Sequence, residues 1–128
     1  LDAATRFELD ERLLPIGEVP VDAAVDIRNP RRLGDITLNT GFGSIARADD
    51  DTIRATLAAP TGQQVEVWAG SGFEHMVLYR TGRYPGHELV IAIVPTTAPA
   101  DTFNSKIGLR HLAPGETWTL TWGVNYTP

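Results

Sequence analysis

Residues 89–123 read LVIAIVPTTAPADTFNSKIGLRHLAPGETWTLTWG, and this stretch decides the fold class. It opens on an apolar run rich in β-branched residues, Val90, Ile91, Ile93 and Val94, and closes on Trp118, Leu120 and Trp122 alternating with threonines. Between the two, Pro95, Pro99 and Pro114 each remove a backbone donor and fix φ, so the reading is strand, crossing loop, strand, with no helix. Alternation at period two puts Trp118, Leu120 and Trp122 on one face of a final strand over residues 117–124, read as core rather than as a sugar-stacking platform. The polar loop carrying Asp101 and Asn104 follows a strand directly, where hydroxyl-binding groups can be held on a rigid edge.

Working outward, residues 4–9 alternate as a half-buried strand, and Asp10, Glu11 and Arg12 with Pro15, Ile16 and Gly17 close it in a turn. Residues 52–59 and 63–69 alternate on either side of Pro60, Thr61 and Gly62, which spells an antiparallel hairpin. Residues 75–80 give a further strand before the Thr81 to Gly86 loop. No segment carries a helical period. The expectation is an all-β, antiparallel β-sandwich, with residues 1–128 forming a single β domain.

A formal charge of −5 leaves no basic footprint for nucleic acid, and no apolar run reaches membrane-spanning length, so neither partner is expected. With no cysteine there are no disulfides and no thiolate metal ligands; a soluble, cytoplasmic protein is the default expectation. The arginines Arg28, Arg31 and Arg32 around Pro30 could address a phosphate or acidic ligand but are read as a solvated face. Gly41, Gly43 and Ala46 fit a dinucleotide fingerprint in spacing, yet Asp49, Asp50 and Asp51 follow where a helix is required, so the match is read as chance. The three aspartates are read as a hairpin tip, since neighbours on an extended chain point to opposite faces and cannot share a cation. His75, His87 and His111 lack the spacing of a local metal site, and no metal is expected.

The run Ile93, Val94, Pro95, Thr96, Thr97, Ala98, Pro99, Ala100, Asp101, Thr102, Phe103, Asn104, then Gly108-Leu109, Leu112 to Glu116 and Trp122-Gly123, resembles the C-terminal signature of the aldose 1-epimerase (galactose mutarotase) family. Residues 25–34 and 36–42 are similar to two further blocks of that family, with Ile27 in place of an aromatic. The resemblance implies a galactose mutarotase-like sandwich, of which this chain would be the C-terminal portion of the supersandwich. A start at Leu1 without methionine fits the C-terminal half of a longer domain, processed or cut. It also implies a carbohydrate-binding protein whose family reaction interconverts α and β aldose anomers without a cofactor. A base removes the proton of the anomeric hydroxyl, an acid protonates the ring oxygen, and the ring opens and recloses. The family's base, a glutamate before the proline, is replaced here by Val94; its acid, a histidine, belongs to the preceding half, so no catalytic residue carries over. The resemblance places Asn39 where the family has a sugar-binding aspartate, and the binding set expected is Asn39, Asp101 and Asn104. Implied partners are a monosaccharide and a second polypeptide or second copy that completes the sandwich. The alternative is a non-catalytic scaffolding subunit.

Overall fold

The computed structural model describes residues 1–128 and is built from two antiparallel sheets. The strands are β1 (Ala3–Leu9), β2 (Pro15–Pro20), β3 (Asn39–Ile45), β4 (Ile53–Ala58), β5 (Gln64–Ala69), β6 (His75–Thr81), β7 (Val90–Thr96) and β8 (Trp122–Thr127). One sheet runs β2-β1-β3-β6-β7 and the other β4-β5-β8. With 41% of residues in strand and 5% in helix, the all-β, sandwich-like expectation holds. Far-UV circular dichroism is accordingly expected to show a β spectrum; helix above about a fifth of the residues, against roughly a third in ordinary globular proteins, would contradict the architecture.

Pairing partners share a face, so register fixes what faces the core. Phe42 lies opposite Met76, and Leu78 opposite Ile93. On the smaller sheet Ile53 lies opposite Ala69, and Ala55 opposite Val67. Phe42, Met76 and Leu78 meet Ile53, Ala55 and Ala69 in one cluster of ten buried residues. The hairpin read from residues 52–69 is present as β4 and β5, paired from Ile53↔Ala69 to Ala58↔Gln64. Pro95 lies within β7, a position it can take because β7 is an edge strand with one side free of ladder bonds.

Four expectations need correction. Pro15, Ile16 and Gly17 open strand β2 instead of forming a turn; the turn sits at Asp10, whose carboxylate accepts from the Arg12 and Leu14 amides. The three aspartates do not tip a hairpin. The Ala48 amide donates to the Thr52 carbonyl across a tight turn, but β3 and β4 on either side belong to different sheets, so the turn is a corner of the sandwich. A single helical turn, α1 (Thr102–Ser105), forms between Pro99 and Pro114, where no helix was expected; four residues fit between prolines that exclude a longer one.

The last strand is also displaced, to Trp122–Thr127. Trp118 and Leu120 sit half-buried, not on a ladder but over the glycine turn after β5. Gly72 has φ +92°, and a β-carbon there would lie 2.7 Å from Leu120 Cδ2 and 3.3 Å from Trp118 Cζ2. The alternation is real but reports packing on a turn, whereas Trp122 is 60% exposed on β8.

Candidate functional site

The five-stranded sheet turns one face away from the smaller sheet, and the period of two decides its occupants. Asn39 lies opposite Tyr79, Gly41 opposite Val77, Val77 opposite Val94, and His75 opposite Thr96. Asn39 and Val94, distant in sequence, therefore share this outer face across β6. A shallow cleft of about 130 Å³ opens there, lined by Phe7, Asn39, His75, Val77 and Thr96, with Leu13, Pro99 and Ala100 among the rim residues.

Two glycines let the neighbouring side chains lie against the sheet. A β-carbon on Gly41 would stand 3.3 Å from Phe7 Cδ2, and one on Gly43 would stand 2.6 Å from Glu18 Oε1. The Thr5 hydroxyl donates to the same Glu18 oxygen. The Phe7 and His75 rings are 5.4 Å apart and tilted by 51°, within the range of favourable aromatic contacts.

His75 Nδ1 and Thr96 Oγ1 are both buried without a hydrogen-bond partner. Buried polar atoms are nearly always paired, so two orphans on facing residues mark unused hydrogen-bonding capacity. Burial pushes the His75 pKa below its ordinary 6.5, opposed by the charges of Glu18 and Glu74. The ring is neutral at pH 7 and offers one donor and one acceptor nitrogen.

The binding residues expected from sequence separate here. Asn39 lines the cleft and is exposed. Asp101 and Asn104 do not line it: the Asn104 amide donates to Asp101 Oδ1 across α1, and only the preceding Pro99 and Ala100 reach the rim. Val94, 45% exposed, presents an isopropyl group to this face and no proton acceptor. Phe7, Glu18, His75 and Thr96 were not singled out as site residues by sequence. Their signal was strand parity, since each occupies an outward position once the pairing is known. No group of three or more histidine, aspartate or glutamate side chains is gathered to hold a metal. His87 packs on Tyr84 at 5.7 Å in the loop before β7, and His111 is exposed.

Comparison with protein-family models, curated proteins and solved structures finds no match for the chain. No helix is long and apolar enough to cross a membrane.

Proposed function

We propose that the chain is an aldose 1-epimerase-like carbohydrate-binding protein that holds a monosaccharide on the outer face of the five-stranded sheet. The observation carrying this reading is that Asn39 and Val94, the two positions the resemblance marks, fall on one face beside a cleft with unpaired His75 and Thr96 atoms. Phe7 would take the apolar side of a sugar ring, Asn39 and Thr96 its hydroxyls, and neutral His75 a donor or acceptor as required. Cleft size fits this role only as an open platform, since about 130 Å³ is below the range of enclosed ligand pockets, roughly 300–1,000 Å³.

Anomer interconversion needs a base at the anomeric hydroxyl, and Val94 cannot be one. A positioned general acid or base contributes about 10²–10⁴ in rate, so the chain alone is expected not to accelerate α-glucose or α-galactose mutarotation above buffer in polarimetry. Titration of galactose followed by NMR should perturb signals of Phe7, Asn39 and His75. Asn39→Ala should weaken that binding about fivefold, the worth of one neutral hydrogen bond of about 1 kcal/mol. Galactose and glucose that leave every one of these signals unmoved would overturn the reading. Val94→Glu by itself is not expected to confer mutarotase activity; recovery by that change would show that one of His75, His87 or His111 can serve as the acid.

A second reading, a scaffolding subunit that pairs with another chain, is favoured by a separate feature. Trp122, Val124 and Tyr126 form an exposed row on edge strand β8.

A further inference from the structure

The two sheets do not close on each other everywhere. A cleft of about 910 Å³, lined by residues of both β4 and β7, enters the sandwich, seven times the volume of the outer-face cleft. Its walls are mainly hydrocarbon, with Leu33, Ile36 and Leu38 from the segment before β3, Leu57 from β4, and Ile91 and Ile93 from β7, while Thr56 and Gln64 add polar groups. Arg28, Arg31 and Arg32, the cluster read from sequence as a solvated face, also line it.

These guanidinium groups are not equivalent. Arg28 is engaged by Asp26 through two bonds, and that contact holds the Asp26 carboxyl at a pKa of about 2. Arg31 donates only to backbone carbonyls, at 2.9 Å to Ala23 and 3.2 Å to Ala24, which fixes its position without neutralising its charge. No carboxylate lies within ion-pair distance of Arg31, Arg32 or Arg80. Arg80 stands opposite Ile91 and so on the same face of the sheet, with its Nη2 donating to the Gly34 carbonyl. Against them stand Asp26, already engaged, Asp2, whose charge acts on Arg28, and Asp35 at the end of the 3-10 turn Leu33–Asp35. A chain of net charge −5 thus keeps two arginines with no ion-pair partner, Arg31 and Arg32, in the lining of one largely apolar cleft.

We propose that this inter-sheet cleft binds a single-chain alkyl carboxylate, its tail between Leu57 and Ile93 and its head at Arg31 and Arg32. Both halves of such a ligand are answered. Apolar walls take a chain that water rejects, and guanidinium groups take a carboxylate through charge-assisted, bidentate hydrogen bonds. The volume lies within the range of sites for small organic ligands.

The site is tested by isothermal titration calorimetry with dodecanoate below its micellar concentration, using acetate as head without tail and dodecyltrimethylammonium as tail with the opposite charge. Dodecanoate is expected to bind saturably at one site. Acetate should give no signal, and the cationic amphiphile should bind at least tenfold more weakly. Shortening the tail should weaken binding about fourfold per methylene removed. Arg32→Glu, at an exposed position, should cost tenfold or more, and Leu57→Asp should abolish uptake. The proposal is overturned if dodecanoate does not bind, if the two amphiphiles bind equally, or if both variants retain the original affinity. Binding of dodecanoate that displaces galactose signals from Phe7 and His75 would likewise overturn it, by placing the ligand on the other face.

Discussion

Phe42→Ala is expected to destabilise the protein by about 3–5 kcal/mol, the usual cost of truncating a fully buried phenylalanine. Phe42 is 0% exposed at the centre of β3, opposite Met76, itself 0% exposed, and inside the only cluster that joins the two sheets. That cluster holds ten residues, three of them alanine, so few neighbours are large enough to move into the vacated space. Global stabilities of domains run to about 5–15 kcal/mol, which makes this one change about a fifth of the total or more. Urea unfolding should show the midpoint fall with little change in slope. Val94→Ala, on the outer face at 45% exposure, is the control, expected to cost under about 1 kcal/mol. Equal losses at the two positions would contradict the assignment of Phe42 to the inner face and Val94 to the outer one, and a larger loss at Val94 would mean that the two faces are interchanged.

The same parity explains what could be read from sequence and what could not. Residues 52–69 announced their hairpin because both flanks alternate and Pro60, Thr61 and Gly62 punctuate them, so local rules sufficed. The outer-face cleft was legible at Asn39 alone, through resemblance. His75 and Phe7 become neighbours only when β1, β3 and β6 pair, a non-local event that leaves no trace in either segment. Trp118 and Leu120 misled for the converse reason. Packing against a glycine turn selects alternate apolar residues just as a strand does, and period alone does not distinguish them. The arginines near Pro30 acquired their setting from Ile91, Ile93 and Leu57, none of which is near them in the chain.

In solution the chain is expected to self-associate through β8. Its accessible surface is 8543 Å², whereas a folded monomer of 13.9 kDa should expose about 6,700 Å². The excess, about 1,900 Å², exceeds the roughly 800 Å² that each partner contributes to a standard interface. Part of it belongs to the inter-sheet cleft, and part to Trp122, Val124 and Tyr126, exposed at 60%, 55% and 65%. Strand β8 pairs with β5 on one side only, leaving its other edge of backbone amides and carbonyls open. Edge strands are normally guarded by charge or by proline within the strand, yet Trp122 to Thr127 carries neither. Antiparallel addition of a second copy centred on Val124 sets each Trp122 opposite the other chain's Tyr126, an aromatic cross-strand pair at either end, and joins the two small sheets into one of six strands. Size exclusion with light scattering should report about twice the 13.9 kDa chain mass. Val124→Lys places two like charges at the centre of that pairing and should raise the dissociation constant at least tenfold, while leaving the thermal transition cooperative because the position lies outside the buried cluster. A monodisperse 13.9 kDa species at micromolar concentration would rule the association out, and a dimer indifferent to Val124→Lys would move it to another surface.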